Sequence, residues 1–183
     1  MSLVLEKKIT VKEFLDMDFE EGFLYELING IIVKRASPSA AHQRVSRHLS
    51  RMMDNFIYNN KLGDFFAAPL DVYLTNIDLA QPDLIFVSKA NAAIVKGFIQ
   101  GVPDLIVEIL SPSIAKNDRG DKMKLYQRCG VSEYWIVDPK SQSVEVYVLK
   151  EGSYDLVSYA QDAGSIISQV LTDFSIDIQS VFE

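Results

Sequence analysis

The sequence predicts an α/β fold in which a mixed β-sheet is flanked by helices. Helix and strand patterns follow one another in the order helix, hairpin, helix, strands, helix, strands, which differs from the strict βαβ alternation of a parallel sheet. The length of 183 residues suits one domain with a sizeable core. We therefore expect a single domain over 1–183, made of an N-terminal helix and hairpin (1–35), a core (about 36–140) and a C-terminal strand meander (141–183).

The first part of the chain carries two helix signals and one hairpin signal. Thr10, with Glu13 three residues later, forms a capping box and predicts a short helix over 11–17. The Asn29-Gly30 pair lies between apolar segments at 23–28 and 31–34, which is the strongest short-range signal for a β-hairpin. Residues 37–39, Ser-Pro-Ser, then open a predicted helix over 40–58 with apolar residues at helical spacing.

The remaining elements are mostly strands. Strands are predicted near 65–74 and over 84–87, a short helix over 91–95, and a strand over 105–110. The Ser-Pro-Ser segment at 111–113 ends that strand, and a helix over 118–128 follows, with Gly130 as its stop. A strand over 134–137 precedes three edge or meander strands over 144–149, 156–159 and 166–170.

Two of the short apolar strands carry acidic residues where a core strand normally has none. Asp83 begins the segment Gln-Pro-Asp-Leu-Ile-Phe-Val at 81–87, and Glu108 interrupts the run Leu-Ile-Val-Glu-Ile-Leu at 105–110. An unpaired carboxylate among such residues would be costly to desolvate, so a cation, a hydrogen-bond network or a metal ion must compensate. Asp83 and Glu108 are therefore the first candidates for chemistry.

Two carboxylates on neighbouring strands would bind a hard divalent cation through oxygen. Such an ion activates water and neutralises charge on a phosphodiester. Lys122, on the following predicted helix, can reach back to orient the attacking water or to stabilise the developing negative charge. The alternative is structural, because Pro-Asp pairs such as those ending at Asp83 and Asp104 also start strands as turn residues.

Composition narrows the possible classes of function. The net charge of -7 speaks against a protein coated in positive potential, although it leaves room for a local basic groove. A single cysteine and two histidines exclude an intramolecular disulfide, a four-cysteine zinc site and a histidine-rich metal site. No apolar run approaches the roughly 18 residues of a membrane span, and a cytoplasmic location is the expectation.

Two groups of basic residues surround the acidic strands in sequence. The first group could follow a phosphate backbone or could simply be a solvated helix face, and the second, if it flanks the acidic pair, would offset the local negative charge where a polyanion approaches. The first group is one stripe of the helix from residue 40: Arg44, Arg47, His48 and Arg51. The second group follows Glu108: Lys116, Arg119, Lys122, Lys124 and Arg128.

Several segments together resemble a bacterial restriction endonuclease family of the PD-(D/E)XK nuclease superfamily. The resemblance rests on Pro-Asp-Leu-Ile-Val-Glu-Ile-Leu-Ser-Pro-Ser at 103–113, on Asp118, Lys122 and Tyr126, and on Gly-Val-Ser-Glu-Tyr-Trp-Ile-Val-Asp at 130–138. Earlier matching segments are Tyr-Glu-Leu-Ile-Asn-Gly at 25–30, His42 and Gln-Pro-Asp at 81–83. The resemblance covers nearly the whole chain and implies a restriction endonuclease-like fold with a mixed central β-sheet flanked by helices.

The resemblance also implies roles for individual residues. Asp83 matches the motif aspartate and Glu108 the acidic residue of the (D/E)XK strand, and both would bind Mg²⁺ or Mn²⁺ together with the backbone carbonyl near Ile109. The sequence departs from the motif at Leu110, where lysine is usual. Lys122 is the first candidate to replace that lysine, and Lys124 is the second. At most one of them faces the site, because residues two apart on a helix point in different directions.

Two further residues have open roles. Glu26 is either an additional acidic contributor to the site or a structural or solvated residue of the hairpin. His42 is either a catalytic accessory or a buried histidine at the start of its helix.

Two functions are therefore expected as alternatives. The first is a metal-dependent nuclease that acts on nucleic acid, with DNA as the first choice, and that forms a homodimer through the strands after Val144. The second, motivated by Leu110 and the net charge, is an inactive nuclease-like fold that serves as a binding or assembly module. The sequence contains no motif that reads base edges, so it predicts no recognition sequence.

Overall fold

The structure, a computed structural model, describes residues 8–111 and 118–183, and it describes only the backbone of residues 118 and 119. It confirms an α/β fold with mixed sheets flanked by helices. The helices are α1 (Val11–Leu15), α2 (Ala40–Asn60), α3 (Met123–Cys129) and α4 (Gln179–Phe182), with a 3₁₀ helix at Lys89–Ile94 and a π-helical turn at Asp118–Lys122. No helix within the described residues is long and apolar enough to cross a membrane.

The strands form two larger sheets and one small ribbon. They are β1 (Leu24–Ile28), β2 (Ile31–Arg35), β3 (Gly63–Ala67), β4 (Val72–Thr75), β5 (Asp78–Ala80), β6 (Leu84–Ser88), β7 (Ile99–Gln100), β8 (Leu105–Ile109), β9 (Glu133–Asp138), β10 (Ser143–Lys150), β11 (Ser153–Gln161), β12 (Ser165–Ile167) and β13 (Ser175–Asp177). The first sheet has the order β2-β1-β5-β4-β7 and the second β11-β10-β9-β8-β6-β3, while β12 pairs with β13. The division of the chain at residues 35 and 140 stays a prediction.

The N-terminal signals produce the expected local structure. Thr10 and Glu13 form the capping box of α1, although the helix ends at Leu15 rather than at residue 17. Asn29 and Gly30 have φ values of 54° and 75°, as a two-residue hairpin turn of type I′ requires at both positions. Because β1 also pairs with β5, the hairpin becomes part of a sheet rather than a separate arm.

The predicted strand over 65–74 is wrong as a single element. It consists of β3 and β4, which belong to different sheets. Pro69 lies between them, and its missing N–H cannot contribute to a continuous ladder. The short strands β5, β7 and β13 were not predicted, because segments of two or three residues carry too little periodicity to recognise.

The six-stranded sheet forms the centre of the molecule, with apolar residues on both faces. Residues of α2, including Leu49 and Met53, pack on one face with Trp135 of β9. Leu125 and Tyr126 of α3 pack on the other face with Ile106 of β8. The strand β8 is therefore buried on both sides, which explains its continuous apolar run.

Candidate active site

The acidic residues of the two predicted strands lie side by side. Strands β6 and β8 pair antiparallel, with Leu84 opposite Val107. One position beyond this pair, Asp83 stands opposite Glu108. The N–H of Ile109 donates to Asp83 Oδ2 at 2.7 Å, which ties the aspartate to the strand that carries Glu108. The pairing of β6 with β8 thus places the two carboxylates next to each other, as expected from the sequence.

Glu108 is 1% exposed, and its two oxygens have different surroundings. Lys122 Nζ donates to Oε1 at 2.8 Å, and the Tyr126 hydroxyl donates to the same oxygen at 2.6 Å. Oε2 is buried and has no hydrogen-bond partner among the described residues, with Arg35 Nη1 at 3.8 Å. Burial raises the pKa of Glu108 to about 7, against the opposing effect of the Lys122 charge.

Glu26 brings the N-terminal hairpin into the site. This fully buried carboxylate accepts hydrogen bonds at 2.8 Å from both Lys122 Nζ and the Gln81 N–H through Oε1. Its Oε2 lies 3.3 Å from Arg35 Nη1. The Lys122 ammonium therefore bridges Glu26 and Glu108, and the hairpin is joined to the segment that precedes Asp83.

Asp83 is paired with a histidine of α2. Its Oδ2 lies 3.2 Å from His42 Nε2, and His42 is itself 4% exposed. Burial disfavours the ionised carboxylate, but the hydrogen bond and charge of His42, with the Ile109 N–H, hold the pKa of Asp83 below its usual value. The structure thus places His42 both at the buried start of α2 and directly beside a predicted site residue.

The two candidate lysines differ in position. Lys122 is 1% exposed and contacts two carboxylates, whereas Lys124 is exposed on the following turn. Leu110 is 3% exposed and belongs to the apolar cluster that contains Tyr126. Position 110, where the motif usually has lysine, is therefore an apolar environment that would not solvate an ammonium group. Of the two lysines, Lys122 is the one that the fold brings to Glu108.

Two cavities lie on either side of this cluster. The first, of about 310 Å³, is lined on its polar side by Glu26, Arg35, His42, Gln81 and Asp83. The second, of about 410 Å³, lies between the hairpin and α3 and is lined by polar residues that include Lys122, Lys124 and Arg128. Asp83 and Lys122 therefore face different cavities.

The donor set is compatible with a divalent ion that keeps several water ligands. Within residues 8–111 and 118–183, no group of three His, Cys, Asp or Glu side chains is arranged to hold a metal. Among the described residues, Glu108 Oε2 is nevertheless a buried acceptor without a hydrogen-bond donor, close to the carboxylate of Asp83. Two carboxylates with water and substrate oxygens are a common ligand set for Mg²⁺.

Most of the predicted basic residues lie outside this cluster. Arg44, Arg47 and Arg51 are exposed on α2, where Arg47 Nη2 lies 3.0 Å from Nε2 of the half-buried His48. Arg128 Nη2 contacts Asp78 Oδ1 at 2.5 Å. Lys116 and the side chain of Arg119 are outside the described residues.

Asp104, the other Pro-Asp aspartate, has a structural role. Its carboxylate accepts from the Ser88 N–H at 2.8 Å and from Asn91 Nδ2 at 3.1 Å. These bonds fix the connection between β6 and the 3₁₀ helix, as expected for a turn residue.

Sequence reasoning assigned no role to Arg35 or Tyr126, both of which contact the acidic cluster. Tyr126 follows Lys122 by four positions, so helical spacing could have placed both side chains on one face. Arg35 ends β2 and carries no local signal, because its position depends on the packing of the hairpin against β8.

One family model matches most of the chain. A family model described as "Uma2: Putative restriction endonuclease" matches residues 11–179. Two similar relatives are uncharacterised proteins of Synechocystis sp.: sll1609 is 26% identical over 156 residues, covering 80% of this chain and 84% of its own. The other, slr1290, is 23% identical over 176 residues, covering 93% and 90%.

One solved structure has a similar fold. It is the crystal structure of a putative nuclease belonging to DUF820 from Anabaena variabilis, with a TM-score of 0.75 and 20% sequence identity. The similarity covers 95% of this chain and 97% of that chain. The mixed α/β architecture expected from the sequence is therefore shared with this solved structure.

Proposed function

The chain belongs to the Uma2 family, described as putative restriction endonucleases, and from this premise we propose that it is a metal-dependent nuclease. It hydrolyses phosphodiester bonds of nucleic acid, with DNA as the first candidate. The observation that carries the proposal is that Asp83, directly before β6, lies next to Glu108 of the paired strand β8 and is hydrogen-bonded to the Ile109 N–H, beside a buried lysine.

In this proposal Asp83, Glu108 and the backbone carbonyl of Ile109 hold the ion, Mg²⁺ or Mn²⁺. A bound ion would supply an activated water and neutralise charge on the phosphate. Glu108 Oε2 supports a ligand role, because it has no hydrogen-bond donor among the described residues and a buried carboxylate oxygen in that state is otherwise unfavourable. The low pKa of Asp83 keeps this second carboxylate ionised at neutral pH.

Lys122 takes the place of the lysine that is missing at position 110. Its ammonium group, 2.8 Å from Glu108 Oε1, favours the ionised form of that carboxylate and is available to stabilise negative charge next to it. Glu26 fixes the lysine from the other side, and Tyr126 fixes the same oxygen of Glu108. His42 orients Asp83 through the contact at 3.2 Å.

The experiment that tests this function is cleavage of labelled DNA and RNA, single- and double-stranded, in Mg²⁺ or Mn²⁺. Wild-type protein is expected to cut at least one substrate, and Asp83→Ala and Glu108→Ala are expected to abolish the cutting. Lys150→Gln, which changes an exposed residue at the β10–β11 hairpin, should retain wild-type activity. Equal cleavage by wild type and both site variants would overturn the assignment.

A second candidate function is a nuclease-like module that binds or assembles without cleaving. Two observations favour it: Leu110 is buried among apolar residues, and the described residues contain no three-residue metal cluster. In that case the ion pairs of Lys122 would serve only stability. If the wild type binds nucleic acid but does not cleave it in the presence of any divalent ion, this second function is supported.

We also propose that the protein acts as a homodimer. Support comes from the C-terminal strands, where Leu156, Tyr159 and Ile167 are all more than half exposed. Exposed apolar residues on edge strands are typical of protein interfaces. Sedimentation that shows only monomer at high concentration would contradict this arrangement.

A further inference from the structure

We propose that the exposed arginines of α2 bind the phosphate backbone of the DNA and hold it beside the cavity that contains Asp83. The inference rests on the proposed function, in which nucleic acid is the substrate, and it identifies a surface outside the site that binds this substrate. The residues are Arg44, Arg47 and Arg51, which we call the arginine stripe.

The arginine stripe lies on the side of α2 that faces away from the protein. The buried residues of α2 lie on the opposite side, where Leu49 and Met53 pack against the central sheet. The three arginines, all exposed, follow one another at intervals of three and four residues, so they align on one side of the helix over about 10 Å. One strand of a DNA duplex presents about three phosphates over this length.

The first turns of α2 join the arginine stripe to the proposed site. His42, two residues before Arg44, contacts Asp83 Oδ2 at 3.2 Å. Gln43 and Ser46 line the cavity of about 310 Å³ that Asp83 also lines. A DNA strand that follows the stripe toward the start of the helix therefore arrives at this cavity.

The charge of α2 is opposite to that of the whole chain. The net charge of the protein is -7, whereas residues 40–60 contain three arginines and one acidic residue, Asp54. Within the part of the chain that the structure describes, none of the three arginines forms an ion pair with a carboxylate. Arg47 Nη2 lies 3.0 Å from His48 Nε2, and because a guanidinium group only donates, it contacts a neutral ring nitrogen here. The positive charge of the stripe is therefore available to an anion.

The chemistry of the surface matches a nucleic-acid backbone. A guanidinium group presents a planar fork of donors that fits two phosphate oxygens. Tyr58 lies on the same side of α2, seven residues after Arg51, and is 80% exposed. An exposed aromatic ring beside a row of cations is a common arrangement for contact with sugars and bases. The occupant that this surface fits is therefore a nucleic acid rather than an acidic protein.

The test measures, by anisotropy in EDTA, the dissociation constant of a fluorescein-labelled 20-base-pair DNA over about 50–200 mM salt. The stripe variant combines Arg44→Gln, Arg47→Gln and Arg51→Gln. The control variant makes the same change of charge at exposed positions on other elements: Lys12→Gln, Lys96→Gln and Lys150→Gln. The stripe variant should bind at least about tenfold more weakly, with a salt slope lower by about three, and the control variant should match wild type.

Cleavage of the same DNA in Mg²⁺ gives a second measurement. Because the arginine stripe binds substrate outside the reacting bond, the stripe variant should raise KM and leave kcat unchanged. Polyglutamate, which resembles an acidic protein surface, should not displace the labelled DNA from wild-type protein. If it displaces the DNA as well as unlabelled DNA does, the surface binds acidic polypeptides and the inference is overturned.

The outcomes distinguish this inference from the function on which it rests. Wild-type protein that neither binds nor cleaves the DNA overturns both. Wild-type cleavage together with unchanged affinity and salt slope in a folded stripe variant overturns only the role of the arginine stripe, as does equal weakening in the stripe and control variants. If the stripe variant fails to fold, Arg51→Gln decides: a salt slope lower by about one supports the inference, and an unchanged slope contradicts it.

Discussion

At the scale of single residues, Glu108 determines the electrostatics of the site. One of its oxygens accepts from both Lys122 and Tyr126, and the other has no donor among the described residues. A buried carboxylate in this state is held ionised only in part, as its raised pKa shows. A divalent ion bound to the second oxygen would offset the remaining negative charge of Glu108. This is how the buried carboxylate relates to the proposed function.

The raised pKa has a consequence for stability in metal-free protein. Between pH 4.5, its usual pKa, and about 7, the folded state binds a proton at Glu108 that the unfolded state releases. The protonated carboxyl therefore stabilises the fold below pH 4.5, and this contribution is lost as the pH rises through 7. Relative to wild type, Glu108→Gln should gain up to about 3 kcal/mol of unfolding free energy over that interval.

Urea unfolding in EDTA at a series of pH values measures this difference. The pH profiles of wild type and Glu108→Gln should diverge between pH 4.5 and 7 and run parallel above it. Profiles that run parallel throughout would show that the folded state does not raise the pKa of Glu108.

The hydroxyl of Tyr126 makes a second prediction at this scale. Tyr126→Phe removes the 2.6 Å bond to Glu108 Oε1 without removing the ring that packs in the core. A hydrogen bond to a charged group contributes about 1.5–3 kcal/mol, so we expect a stability loss of that order and a cleavage rate about tenfold lower.

A matched control is Tyr147→Phe, which removes a tyrosine–carboxylate bond to Glu145 on β10, outside the site. That variant should leave the cleavage rate unchanged. A Tyr126→Phe variant with wild-type kcat would contradict the role of the hydroxyl in holding Glu108.

At the scale of elements, the pairing of β6 with its neighbours positions Asp83. Gly63 of β3 lies opposite Ser88 of β6, and a Cβ at this position would lie 2.1 Å from the Val87 carbonyl oxygen. No side chain can occupy this space, because the obstructing atoms belong to backbone. The close approach of β3 thus helps to fix the strand β6, which directly follows Asp83.

Gly63→Ala is therefore expected to destabilise the protein by about 3 kcal/mol, since β3 and β6 must move apart. Gly97→Ala is the control, because nothing lies within 4 Å of its added Cβ, and its effect should be within about 0.5 kcal/mol. Urea unfolding followed by the fluorescence of the single tryptophan measures both changes. Equal stability of the two variants would contradict the close β3–β6 contact.

Element type was predictable from sequence where the signal was local. The capping box of α1, the Asn29-Gly30 turn and the stop at Gly130 depend on neighbouring residues and were all recognised. The helix predicted over 118–128 is helical over this range, but residues 118–122 form a π-helical turn and the α-helix begins at Met123. Such a turn has no clear sequence signature.

At the scale of the whole molecule, the site is assembled from parts that are distant in sequence. Lys122 bonds Glu26 across 96 positions, and Gln81 bonds the same glutamate across 55. Family resemblance indicated Asp83, Glu108 and Lys122, because these residues stand in recognisable segments. The closure of the hairpin over them, with Arg35, could not be predicted from local patterns, since it depends on how two sheets pack.

The central claim is that Asp83 and Glu108 together form one metal centre. The most direct measurement is a calorimetric titration with Mn²⁺, with and without a 20-base-pair DNA, of wild type, Asp83→Asn, Glu108→Gln and the control Glu145→Gln. We predict that wild type and Glu145→Gln bind a divalent ion and that both site variants lose it. Wild-type protein that binds no ion even with DNA present, or site variants that bind as wild type does, would contradict the account.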